Sequence, residues 1–348
     1  MVRSWHARGA VALGLTIATT LVMPIGSASA ADNGTWAATP SVAGQQAPRQ
    51  YFFLDMADGQ TVTDSVTITN VSPQPKRLTL FPSDAYNVAD GAGFAVTDFG
   101  APVDDVGSWI TLSRDAVIVP AATRDEKDEV VPGKVRVPFK VTVPRGAAPG
   151  DHAGAITTLE EAPPPSGDTS QLLVRRQLAV RTYVRVDGPL TTSLAVERVT
   201  LSAEAARLPF IGRQGAARVE YVIKNNGNTR VTPDRLVTLT GLFGRNLHTS
   251  PPGKTPEILP GSTVILYDDF EGLPVLDRVT ARVDLSAAQG EVKAAGDTSE
   301  WVISLTFLIL LVVLIVLVLL AIRFGPARKA RAQQAGVEQG GAVVTEPV

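Results

Sequence analysis

Hydrophobic and polar positions alternate with a period of two along most of the chain. Val62, Asp64, Val66 and Ile68 alternate with Thr61, Thr63, Ser65, Thr67 and Thr69. Val135, Val137, Phe139 and Val141 alternate with Lys134, Arg136, Pro138 and Lys140. Leu178, Val180, Val184 and Val186 alternate with Ala179, Arg181, Tyr183 and Arg185. Period two with one polar face predicts half-buried antiparallel strands, and the wealth of threonine and valine agrees. Turn signals break the runs at Ser72-Pro73-Gln74-Pro75, Asp90-Gly91, Pro132-Gly133, Asn225-Asn226-Gly227-Asn228 and Pro260-Gly261. Leu201–Leu208 leaves room for one or two helical turns. The fold class expected is all-β, built of sandwiches rather than a parallel sheet.

A weak repeat sets the domain count. Val66-Thr67-Ile68-Thr69-Asn70, a polar turn and Arg77-Leu78-Thr79-Leu80 are echoed later. The echo is Tyr221-Val222-Ile223-Lys224-Asn225, a polar turn and Arg235-Leu236-Val237-Thr238-Leu239. The boundary is placed near Asp187-Gly188-Pro189. That gives a first immunoglobulin-like β-sandwich over 45–187 and a second over 188–286. Residues 31–44 read as a flexible leader, Pro163–Gly167 as a loop and 287–300 as a stalk.

Two apolar blocks stand outside this pattern. Residues 1–30 have a basic start, an uncharged stretch over 9–25 and Ala28-Ser29-Ala30, the pattern of a cleaved signal peptide. An uncleaved anchor helix is the alternative, and Pro24 argues against it. Residues 301–323 read as one transmembrane helix. Val302–Ile322 carries no charge and only Ser304 and Thr306 as polar side chains. Arg323, Arg328, Lys329 and Arg331 follow it, whereas Asp297 and Glu300 precede it. Basic flanks stay cytoplasmic, so the sandwiches are expected outside the cell membrane. Trp301 and Phe324 fall where an aromatic belt would lie. Residues 324–348 read as a disordered cytoplasmic tail. Leu208-Pro209-Phe210-Ile211-Gly212 resembles a sortase signal but lacks its threonine, and reads as a loop.

Composition narrows the function. The chain of 348 residues has 32 basic and 34 acidic side chains and no cysteine. A near-neutral total argues against nucleic acid as a partner. Thiol catalysis, disulfides and thiolate metal sites are excluded. His152 and His248 lack metal-ligand spacing, and no nucleophile elbow or phosphate loop occurs. Adjacent acids such as Asp104-Asp105, Asp268-Asp269 and Glu160-Glu161 point to opposite faces of a strand. Asp125–Glu129 reads as a hairpin loop before a calcium site. Trp109 reads as core. No cofactor, metal or catalytic residue is expected, and the protein is expected not to be an enzyme.

Tyr51-Phe52-Phe53-Leu54-Asp55, Gly59-Gln60 and Val66-Thr67-Ile68-Thr69-Asn70 resemble the opening of the WxL-interacting proteins of Gram-positive bacteria. Pro138-Phe139-Lys140-Val141-Thr142-Val143-Pro144, Gly150 and Gly154-Ala155-Ile156 are similar to that family's middle motif. The resemblance is specific over the first domain. It implies peptidoglycan binding there, and a second domain that contacts a partner or host protein. One pattern in the residues themselves supplies candidate ligand contacts. Arg175, Arg181, Tyr183 and Arg185 share parity on one strand, which would put three guanidinium groups and a ring on its solvent side. Forked guanidinium bonds suit carboxylates and phosphates of wall polymers. The other reading is a solvated face paired with neighbouring acids. The functional expectation is therefore a membrane-anchored surface protein that holds peptidoglycan, another cell-wall polymer or a wall-associated protein. The alternative is a structural partner in a surface assembly acting by strand addition.

Overall fold

A computed structural model describes residues 34–42, 48–160, 175–208 and 214–338, with side chains as far as 323. The expected signal peptide, the loop at 163–167, residues 209–212 and the end of the tail lie outside them.

The first sandwich contains β1 (Trp36–Pro40), β2 (Phe52–Met56), β3 (Thr61–Asn70), β4 (Lys76–Asn87), β5 (Phe94–Val96), the short α1 (Val106–Trp109), β6 (Ile110–Leu112), β7 (Ala116–Val119), β8 (Thr123–Arg124), β9 (Val130–Val131), β10 (Gly133–Thr142), β11 (Gly150–Glu160) and β12 (Arg176–Val186). One sheet has the order β1-β3-β10-β6. The facing sheet runs β2-β12-β11-β4-β5, with β7 also on β4. Trp36, Phe52, Phe139, Ile156 and Val184 fill the space between them. Trp109, at the end of α1, joins this core as expected. Asp125 closes the β8–β9 hairpin by accepting the backbone N–H groups of Lys127 and Glu129.

The second sandwich contains β13 (Leu194–Glu204), β14 (Gly215–Asn225), β15 (Asp234–Thr240), β16 (Asn246–Thr249), β17 (Gly253–Lys254), β18 (Thr263–Leu273), β19 (Leu276–Ala287) and β20 (Val292–Ile303). Its sheets are β13-β14-β18 and β16-β15-β19-β20, with β17 on β15. The core is aliphatic around Tyr221. After Ser304 comes α2 (Leu305–Glu338), whose segment Leu305–Arg323 is long and apolar enough to cross a membrane.

Five expectations need correction. The helix expected over 301–323 begins at Leu305, because Trp301–Ile303 pair with β19 as the end of β20. The leader is not wholly loose: Trp36–Pro40 pairs with β3 and buries Trp36. Short flanking runs hid a strand whose inward residues are Trp36 and Ala38. The stalk at 287–300 is mostly β20, paired with β19 along its whole length. Its inward positions are small because the sheets approach closely there. A Cβ on Gly296 would lie 2.7 Å from Val196 Cγ1. Residues Leu201–Glu204 continue β13 rather than turning into helix. The tail is helical to Glu338, since Ala, Arg, Lys and Gln favour helix.

The ends of the second sandwich differ. The starts of β13 and β18 and the end of β14 lie beside the first sandwich. The ends of β13, β18 and β20 lie beside α2. At about 3.3 Å per residue, the eleven residues of β18 set these ends roughly 35 Å apart.

Candidate functional site

The outward face of β12 looks only partly into solvent. It meets the second sandwich. Tyr183 is buried, and its hydroxyl donates to Glu257 Oε1 at 2.6 Å. The Arg230 guanidinium lies 4.0 Å over the Tyr183 ring, 5.0 Å over Phe53 and 5.9 Å over Tyr51. Arg185 makes a forked pair with Asp151, at 2.7 Å from Nε and 2.9 Å from Nη2. Asp151 also accepts the backbone N–H of Arg230 at 2.9 Å. Arg181 remains exposed, with its guanidinium 4.3 Å over Phe94. Arg175, expected on this strand, is exposed just before β12 begins and does not join this group. The expected solvent stripe is thus corrected. Its parity was right, but the face is occupied at Tyr183 by another domain, and Arg185 is neutralised by Asp151.

The junction is well bonded beyond this strand. Asn228 donates to the carbonyls of Pro149 and Pro189, at 2.8 and 2.9 Å. Asn87 donates to the Glu257 carbonyl and accepts from the Leu259 N–H. The tip of the β4–β5 hairpin adds to the edge of β18: Ile265 donates to the Ala89 carbonyl, and Gly91 donates to the Ile265 carbonyl. Gly150 sits at φ 120° against Asn228, where a Cβ would fall 2.3 Å from a carbonyl oxygen. Only glycine allows that approach.

Charge at the junction follows these contacts. Burial disfavours the Asp151 carboxylate, but Arg185 and Arg230 outweigh it and hold the group below its ordinary value. Burial, then Glu257, push the Tyr183 phenol up to about 12. Beside them, Asp84 accepts the N–H groups of Asp104, Asp105 and Gly107 and so fixes α1. That puts Asp105 2.7 Å from His152 Nδ1, while His152 Nε2 lies 2.8 Å from the Ala148 carbonyl. Both partners are acceptors. Burial alone would lower the imidazole, but these contacts win and raise it above its ordinary value.

What stays open to a ligand is the rim of the junction. Tyr51 and Phe53 are part-exposed, Tyr86 is half-exposed, and Arg181 lies among the same strands. Aromatic faces beside guanidinium groups can stack a sugar ring and fork a carboxylate. Sequence reasoning found Arg181, Tyr183 and Arg185 but missed Arg230. The asparagine-rich turn at 225–228 was the only signal near it, and it read as a plain turn.

Fold and termini together define a class: an all-β protein of two immunoglobulin-like sandwiches, with one C-terminal apolar helix. No protein-family model matches the chain, and no curated protein sequence matches it. Among solved structures, the class 5 fimbriae chaperone CfaA is similar at 13% identity and a TM-score of 0.33, over 72% of this chain and 95% of that one. The CsuC–CsuE chaperone–tip adhesion subunit complex of Acinetobacter baumannii Csu pili is similar at 12% identity and 0.33, over 71% and 94%. The E. coli chaperone DraB is similar at 11% and 0.31, over 72% and 93%. Similarity at this level assigns no ligand to the present chain.

Proposed function

We propose that the protein is a non-catalytic, membrane-anchored protein of the cell surface that holds a cell-wall polymer, peptidoglycan first among them, or a wall-associated protein. The apolar helix crosses the cell membrane with the sandwiches outside. The observation that carries the binding reading is the exposed rim of Tyr51, Phe53, Tyr86 and Arg181 beside the junction. Peptidoglycan offers sugar rings to the aromatics and stem carboxylates to the guanidinium groups. Anchoring keeps the local ligand concentration high, so each contact can be weak.

Retention of the full chain on purified peptidoglycan tests this. Arg181→Glu should reduce retention several-fold with the fold intact, because this side chain is exposed and makes no ion pair among the described residues. Unchanged retention removes the rim from the account.

A second reading has its own observation. The pairing of Ala89 and Gly91 with Ile265 uses the edge of β18 as a template, and the edge beyond it at Tyr267, Asp269 and Glu271 has no paired strand among the described residues. A partner chain would add there by main-chain bonds. A proline at Tyr267 would then abolish partner capture while leaving wall retention intact.

A further inference from the structure

We infer that the end of the second sandwich next to α2 is embedded in the headgroup layer of the bilayer that α2 crosses, with Phe243, Trp301 and Ile303 reaching below it. This rests on the reading of α2 as a membrane span.

The joint between sandwich and helix has no slack. Strand β20 ends at Ile303 and α2 begins at Leu305. Between them, the Ser304 N–H donates to the Val275 carbonyl at 2.7 Å. The Ser304 hydroxyl donates to the Arg207 carbonyl at 2.8 Å and accepts the Phe307 N–H at 3.2 Å, capping the helix. The first helical turn is therefore tied to two loops of the sandwich. A bilayer entered at Leu305 must lie against those loops.

A third loop is held at the same level. The tip Gly241–Arg245 of the β15–β16 hairpin is bonded to the buried Asp277. Leu242 donates its N–H to Oδ1 at 2.8 Å, and Arg245 Nη2 donates to Oδ2 at 2.6 Å. Asp277 is the register partner of Val302, one residue from the end of β20. At this tip Phe243 is fully exposed and has φ 60°. A large apolar side chain that packs on nothing among the described residues, on a backbone that disfavours any Cβ, adds nothing to the fold. A bilayer gives it a partner.

The surroundings have the composition of a membrane interface. Leu242, Leu276, Trp301, Ile303 and Leu305 are exposed around the joint. Arg207, Arg245 and Arg278 are exposed beside them, Arg245 also bonded to Asp277, and Glu300 is the acid next to Trp301. In this placement the arginines lie at the level of lipid phosphates. Tryptophan and arginine at such a depth, with apolar residues below, match the interfacial preferences of both. The opposite end of this sandwich meets the first domain, and Leu190 is the large apolar side chain exposed there among the described residues, whereas the helix end exposes a cluster of them.

The chain has no cysteine, so single labels can be placed cleanly. Phe243→Cys, Leu190→Cys and Leu314→Cys, each carrying an environment-sensitive fluorophore, would be reconstituted as full chains in vesicles of phosphatidylcholine and phosphatidylglycerol containing a spin-labelled lipid. The label at 243 should shift to the blue and lose intensity to the quencher. The label at 314 should be quenched deeply, and the label at 190, at the far end of the sandwich, should be unaffected. Quenching at 314 without quenching at 243 overturns the proposal and leaves the span standing. No quenching at 314 removes the span, and the proposal falls with it.

Discussion

Asn70 and Asn225 perform the same task in the two sandwiches, with different consequences. Each is fully buried at the end of a strand. The Asn70 amide donates to the carbonyls of Gln74 and Pro120, and its oxygen accepts the Ser72 N–H. The Asn225 amide donates to the carbonyls of Thr229 and Ile258, and its oxygen accepts the Gly227 N–H. Both latch the turn they begin to a second loop. Around Asn70 the turn is largely exposed. Around Asn225 the turn continues into Asn228 and Arg230, which grip the first sandwich. One local solution thus serves a free loop in one domain and the junction in the other. A repeat in sequence can therefore mark equivalent structure without marking equivalent function.

The comparison breaks most sharply at the asparagines themselves. Asn70→Ala and Asn225→Ala should each cost about 3 kcal/mol, because each strands several buried backbone groups. Only Asn225→Ala should also make the junction sensitive to protease, which limited digestion of the two variants would reveal.

Gly150→Ala should cost about 2 kcal/mol through its positive φ and the close Asn228 carbonyl. At the Asn70 end the tight glycine is Gly133, whose Cβ would fall 2.0 Å from the Pro120 carbonyl oxygen, but that contact lies within one sandwich and not at the junction. The expected readout is loss of the joint unfolding transition of the two sandwiches in calorimetry.

The smallest effects are those of pH. His152 is raised, so its contribution is complete below the ordinary value of 6.5 and is lost as pH rises through the folded value. Asp151 is lowered, so its contribution is present above 3.8 and is lost as pH falls through the folded value. Stability curves of His152→Gln should flatten on the neutral to alkaline side, and those of Asp151→Asn on the acid side.

The strands with large inward residues were legible in the sequence, since Val, Ile and Phe at every second place leave little choice of face. The strands β1 and β20 were not. The first is short, and the second turns Ala294, Gly296 and Thr298 inward, a pattern that resembles a linker until Val196 and Val199 are seen opposite. The candidate stripe on β12 was half legible. Alternation fixes which residues share a face, but it says nothing of what covers that face. Arg230 lies far from β12 in sequence, and only the docking of two domains brings it over Tyr183. The strained Phe243 was invisible for a similar reason, because left-handed backbone at a hairpin tip has no signature in a phenylalanine.

The Asp151, Tyr183 and Arg230 contacts make the two sandwiches one body. The distance distribution between spin labels at Val71→Cys and Lys293→Cys, measured on the reconstituted full chain, reads that rigidity. A single narrow distribution, broadened by Gly150→Ala, is the predicted result. A broad or two-peaked distribution in the otherwise native chain would contradict it.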